Sequence, residues 1–287
     1  MKKKAIDQVI KELGLKDKPT PHIFEDLLAI ASKKRTEEKY INKVNFDGDH
    51  LQLIPIGDPH LGAIHCDLEL LQRTVDYILA DKHRYTIFMG DLAETATKVS
   101  VGKSVYEEDK HLREQLYTLR DMMMPLAEQG RILGIHQGNH EFRSAMLTSL
   151  CPMEILSELL RVPYLEYQGY TILTVGSQRY SIMSYHGAGG GGSTGAKANA
   201  TERGFKVNPT CDIYLSGHTH AKSAHETVSM IIDENDQMVS KVQKYVSCGS
   251  FLNYFGGYAE MKVLQPAPLG APIIDFCGTQ KCISVRI

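Results

Sequence analysis

The chain has no hydrophobic run approaching about 18 residues, so no segment is long and apolar enough to cross a bilayer as a helix. Its start, MKKKAIDQVIKELG, continues into a polar amphipathic pattern rather than the apolar core and small-residue cleavage site of a signal peptide. A soluble, cytoplasmic protein with no membrane partner is expected. The six cysteines (Cys66, Cys151, Cys211, Cys248, Cys277 and Cys282) form no CxxC pair, which argues against a zinc knuckle or a disulfide framework and for reduced, structural thiols. Charge of one sign is also scarce: the net charge of −2 offers no broad positive surface for a duplex. Internal repeats are missing, and the one low-complexity stretch is GAGGGGSTG at 187–195.

What is present divides into a head and a body. Residues 1–40 hold ten Lys/Arg against seven Asp/Glu, and the remainder holds 22 against 27, so the head is mildly basic and the body mildly acidic. An acidic, histidine-containing body suits a site where bound cations restore positive potential. In the head, Ala5, Ile6, Val9, Ile10 and Leu13 follow helical spacing up to Gly14, a natural C-terminal cap. Thr20 and Pro21 then open a second helical pattern through Ile23, Phe24, Leu27, Leu28 and Ile30. A helical arm over 1–45 is expected to serve docking or oligomerisation. A helix-turn-helix reader of DNA is the lesser reading, because the second helix carries bases only at its end, at Lys33, Lys34 and Arg35.

From residue 46 to 287 a single larger domain is expected. LQLIPI, YTIFM, RILGIH, YSIMSY and DIYLS read as buried strands. Leu68, Leu71, Val75, Ile78 and Leu79 mark one helix, and Leu112, Leu116, Leu119, Met123 and Leu126 another. After residue 222 the pattern turns β-rich, with HETVSMII, QMVSKVQKYVS and KCISVRI. All five apolar runs lead into polar groups able to bind metal, at the carboxyl ends where open α/β sheets place ligands. These are Asp58 and His60 in GDPHLG, Asp91 in GDL, Asn139 and His140 in GNHE, His186 in YHG, and His218 and His220 in GHTH. Any single GD or GH is ordinarily a turn with a solvated polar residue, whereas five at successive strands point to one centre. Imidazole and carboxylate together suit borderline divalent metals. Asp58 and His60, like His218 and His220, are two apart, which in extended chain points both side chains the same way, and Pro59 biases Asp58 toward that geometry. Glycines 57, 90, 138 and 217 precede the ligand clusters, where backbone must turn sharply.

The ordered series GD-x-H, GD, GNH-E, H-G and GH-x-H resembles the calcineurin-like metallophosphoesterase superfamily over roughly residues 51–221. The resemblance implies an α/β fold, a four-layer α/β/β/α sandwich, with a binuclear metal centre. By position, Asp58, His60 and His220 would hold one metal, Asn139, His186 and His218 the other, and Asp91 both. Two divalent cations, Mn²⁺ first and Fe, Zn or Ni as alternatives, would activate water for attack on phosphorus and neutralise the phosphoryl oxygens. Asn139 would lend an oxygen without adding charge. His140 would protonate the leaving oxygen, with Glu141 orienting its ring or simply solvated at a helix start. His65 and Arg143 are candidate phosphate contacts. His136 reads as a satisfied core histidine.

GGGGSTGAK approaches a phosphate-binding P-loop but lacks lysine directly after its last glycine, so a flap over the metals and a plain connection are left. The stretch after the second GD, GDLAETATK, lacks the D-R-G of the serine/threonine phosphatases in that superfamily. GDPHLG and GDL look more like its DNA-repair exonuclease branch. The expected activity is a phosphodiesterase acting on a nucleotide or nucleic acid, with a phosphomonoesterase as the alternative and a non-catalytic scaffold a distant third.

Overall fold

Strand residues here send alternate side chains into two different cores. In β2 (His50–Ile56) Leu51 and Leu53 face one apolar cluster while Ile54 and Ile56 face another, and all four are buried. Neither face of such a strand meets water, which is why it reads as a nearly continuous apolar run. The computed structural model describes residues 41–97, 110–189, 193–233, 235–256 and 258–287. The helical pair expected in residues 1–40 lies outside them, as do residues 190–192 of the glycine stretch.

One six-stranded sheet runs in the order β12 (Ile283–Arg286), β11 (Ile273–Cys277), β2, β3 (Arg84–Phe88), β4 (Ile132–His136) and β5 (Tyr164–Glu166). Its β2, β3, β4 and β5 are parallel neighbours, and β11 and β12 are antiparallel. The other sheet runs β1 (Ile41–Phe46), β6 (Gln168–Val175), β7 (Gln178–Tyr185), β8 (Ile213–Ser216), β10 (Met238–Cys248) and β9 (Lys222–Ile232). The sheets pack face to face through Leu51, Leu53, Ile87, Leu173, Val175, Tyr180, Ile213 and Val246. Each such side chain contributes roughly 1.5–3 kcal/mol by leaving water.

The outer face of the first sheet is covered by α1 (Leu68–Leu79), α2 (Leu112–Glu128) and α4 (Pro152–Leu160), whose Leu71, Val75, Ile78, Leu119, Met123, Leu126 and Leu156 meet Ile54, Ile56 and Phe88. Asp67 starts α1 by accepting the Leu70 N–H at 2.9 Å. Against the outer face of the second sheet, α6 (Arg203–Val207) packs Phe205 near Met183, Tyr185, Tyr214 and Tyr245, with α5 (Thr194–Thr201) before it. The short α3 (Asn139–Thr148) and α7 (Tyr258–Met261) complete the described helices. The result is the expected α/β/β/α sandwich. Its boundary falls earlier than expected: β1 pairs in parallel with β6 from Ile41 onward, so residues 41–45 belong to the sheet and not to the arm. No helix among the described residues is long and apolar enough to cross a membrane. All six cysteines are free.

His136 lies in the interior as a tie between sheets. Its Nε2 meets Ser184 Oγ of β7 at 2.8 Å and its Nδ1 meets the Glu166 carbonyl at 3.2 Å. Replacing it by leucine strands Ser184, so His136→Leu is expected to lower stability in urea by about 1–3 kcal/mol while sparing metal uptake. Loss of metal binding with unchanged stability would contradict this structural role.

Candidate metal centre

The five strand-end loops converge. Asp58 follows β2, Asp91 follows β3, Asn139 opens α3 after β4, His186 follows β7 and His218 follows β8. The expected extended geometry at the paired ligands is not what the chain adopts. Asp58, His60, Asp91, His218 and His220 all take left-handed backbone, with φ of 53°, 49°, 49°, 66° and 53°. Pro59 therefore fails to hold Asp58 extended, because the tertiary contacts outweigh that local bias. Left-handed backbone costs an L residue of order 1–2 kcal/mol and gathers where a site demands it.

Backbone bonds between neighbouring loops hold these turns. The Asp58 N–H donates to the Gly90 carbonyl at 3.2 Å, the His60 N–H to Asp91 at 3.0 Å and the Leu61 N–H to Leu92 at 2.8 Å. The His218 N–H donates to the Asp58 carboxylate at 2.9 Å, bringing the second sheet to the first. Two glycines are required by close approach. A Cβ at Gly138 would collide with the Asp91 carboxylate, and one at Gly90 (φ 91°) would lie 2.6 Å from the Gly138 nitrogen.

Around this frame the donors form two sets with Asp91 between them. Asp91 Oδ2 is 3.8 Å from His60 Nε2 and 3.3 Å from His186 Nε2. On one side, His60 Nε2 and His220 Nε2 face each other at 3.3 Å, and Asp58 Oδ1 is 3.5 Å from His220 Nε2. On the other, Asn139 Oδ1 is 3.0 Å from His186 Nε2 and 2.7 Å from His218 Nδ1. Ions bound at about 2.0–2.2 Å hold adjacent ligands roughly 3–3.5 Å apart, close to these separations. The donor set therefore fits a divalent cation on each side.

Electrostatics agrees. Burial pushes Asp58 up to about 7, against the opposing pull of His186. Asp91, equally buried, is held well below its usual range because His186, His140 and His60 outweigh the cost of burial. His186 resists burial and rises to about 10 beside Asp91. His218 and His220 are lowered by burial and by neighbouring imidazoles, leaving neutral rings with a lone pair to give.

Of the two roles open to Glu141 in the sequence, orienting His140 or standing solvated at a helix start, the fold gives it neither. Glu141 does not orient His140. It is fully buried and accepts three backbone N–H groups, from Asp91 at 3.0 Å, Ala93 at 3.0 Å and Gly138 at 2.9 Å, so it clamps the β3 and β4 loops and caps α3. The orienting carboxylate is Glu94, which sequence reading missed. Its Oε2 is 2.9 Å from His60 Nδ1 and 3.4 Å from His140 Nδ1, and its carbonyl is 3.0 Å from the same His140 nitrogen. Hydrogen bonds from His140 and His60 overcome burial and hold the Glu94 carboxyl at about 2. His140 rises to about 9, as Asp91 and Glu94 outweigh its burial. The only signal in sequence was an acid three residues past Asp91, a spacing with no meaning until the loop is folded.

Of the tentative contacts, His65 sits beneath the turn at Gly256 with its Nε2 buried and unpartnered by hydrogen bonds. Arg143 is half-buried on α3. No protein-family model and no curated protein matches the chain. Among solved structures, a predicted phosphoesterase from Streptococcus pneumoniae TIGR4 is similar at 13% identity and TM-score 0.35, over 82% of this chain and 88% of that one. Another, provisionally assigned as a diadenosine tetraphosphatase, is similar at 13% identity and TM-score 0.30, over 86% of this chain and 97% of that one. At these scores the likeness carries no functional weight, which rests on the donor geometry instead.

Titration calorimetry with Mn²⁺ is expected to show two ions per chain, His220→Ala retaining about one, and Asp91→Asn weakening both. Glu94→Gln should cost about 10–100-fold in affinity by releasing His60. A single ion in the wild type, or unchanged uptake in Asp91→Asn, would contradict the two-set geometry.

Proposed function

We propose that the chain is a two-metal hydrolase of phosphoesters, acting as a phosphodiesterase on a nucleotide or nucleic acid. The observation that carries this is Asp91 Oδ2 lying between His60 and His186, with a complete donor set on either side. Cations bound there would supply activated water and charge neutralisation at phosphorus. Each other role belongs to the chain. Asn139 contributes a neutral oxygen, so the second set keeps more net positive potential for an anionic ester than a carboxylate would allow. Glu94 holds His140 through Nδ1, leaving Nε2 to carry a proton toward a leaving oxygen. Glu141 keeps both loops in register without touching substrate. Mn²⁺, Fe, Zn and Ni all suit this mixed imidazole and carboxylate set, and Mn²⁺ is the cation proposed first.

With Mn²⁺, the purified protein should hydrolyse bis(nitrophenyl) phosphate, and Asp91→Asn or His218→Ala should lower the rate by at least about a hundredfold. Either variant at wild-type rate would refute the assignment. His140→Ala should slow esters with poor alkoxide leaving groups about 10²–10⁴-fold, and nitrophenyl esters much less, because nitrophenolate departs without a proton. Equal losses on both would remove His140 as the acid. Faster turnover of nitrophenyl monoester than of diester would favour a phosphomonoesterase.

A further inference from the structure

Two aromatic pairs, each with at least one exposed ring, are rooted in segments that follow the centre's donors, and the hydrolytic chemistry uses neither. Phe142 and Tyr167, 41% and 57% exposed, meet edge to face with centroids 5.8 Å apart. Phe142 lies two residues beyond His140 on α3, so this pair is rooted beside Asn139. Tyr254 and Phe255 meet the same way at 5.3 Å, with Phe255 77% exposed. Their turn is fastened to the segment after His60. The Asn253 N–H donates to the His65 carbonyl at 2.9 Å, Cys66 bridges Leu252, and a Cβ at Gly256 would lie 2.8 Å from the His65 ring.

Sheet order puts these roots on opposite sides of Asp91. β2, which leads to Asp58 and His60, and β4, which leads to Asn139 and His140, flank β3, so the loops spring from strands about 10 Å apart. Beside Tyr167 opens a cavity of about 190 Å³, lined by Gln168, Met183, Tyr185 and Arg203 and by Gly187, the residue directly after His186. It pairs flat aromatic and apolar walls with an amide and a guanidinium, a chemistry that suits a heterocyclic ring with a polar edge.

We propose that the two pairs are base-stacking platforms, one on each side of the scissile phosphate, and that the centre acts on single-stranded nucleic acid. This rests on the phosphodiesterase reading above. Bases within a duplex already stack on one another and are closed to such platforms, whereas every unpaired base offers a face. A net charge of −2 gives the chain little overall attraction for a polyanion, so stacking would supply much of its affinity for a nucleic acid.

The test compares kcat/KM for an oligothymidylate with kcat/KM for methyl nitrophenyl phosphate, both with Mn²⁺ and full-length protein. Tyr167→Ala and Phe255→Ala should each lower this ratio about tenfold, and Tyr167→Phe should retain it, because stacking needs the ring and not the hydroxyl. If the small diester is hydrolysed but both alanine variants keep the ratio within roughly twofold, the platforms are overturned alone. If the wild type hydrolyses neither substrate, the hydrolytic reading fails and this inference with it. Because the ratio is internal to each variant, a general folding defect does not mimic the expected result.

Discussion

The buried Glu141 carboxylate accepts N–H groups from Asp91, Ala93 and Gly138, and the geometry of the centre depends on this clamp. Asp91 takes left-handed backbone that its own preferences oppose, and Gly138 presses against it so closely that no side chain fits between them. The clamp fixes both loops at once. With Asp91 set, its Oδ1 accepts the His140 N–H at 2.8 Å and its Oδ2 is free to lie between the two donor sets. Burial makes the arrangement rigid and also electrically demanding. Two carboxylates, Asp58 and Asp91, are fully buried with imidazoles as their nearest partners. Cations on either side of Asp91 would answer that demand, so in the proposed centre the force that organises the loops would also create the affinity for metal.

Layering decides where such a centre can form. Parallel β2, β3 and β4 deliver Asp58, Asp91 and Asn139 to one end of one sheet, and β7 and β8 deliver His186 and His218 from the other. The His218 N–H to Asp58 bond joins the two sheets' contributions, and the Gly217 N–H to His186 bond holds the β7 and β8 loops together, at 2.9 Å each. His136, one turn further in, ties the same two sheets but faces Ser184 and backbone instead of the centre. Two histidines four residues apart thus serve unlike purposes, one in packing and one beside the donors.

Much of this was legible in the sequence because the candidate donors are polar residues placed at the ends of apolar runs, a contrast that survives without coordinates. Asp58, Asp91, Asn139, His186, His218 and His220 were all visible in this way, and His136 was separable because it falls inside its run. The α/β class followed from five strands that alternate with helices, and the four-layer sandwich from the resemblance that the motif series carries. Other features depend on contacts far apart in the chain. Glu94 serves His60, 34 residues before it, and Glu141 looks like a helix-start acid until the β3 and β4 loops close on it. Left-handed backbone at five ligands runs against the local bias of Pro59 and cannot be read from composition. β1 and β6 were missed as well, since INKVNF and QGYTILTV break their apolar residues with polar ones and form half-buried strands. Phe142 and Tyr167 are separated by 25 positions and become neighbours only when α3 and β6 are in place.

The central claim is that one carboxylate oxygen separates two cation positions. Anomalous diffraction from crystals grown with Mn²⁺ tests it most directly. The account predicts two peaks about 3.5–4 Å apart, one bounded by Asp58, His60 and His220, the other by Asn139, His186 and His218, with Asp91 touching both. A single peak, or peaks away from Asp91, would contradict it.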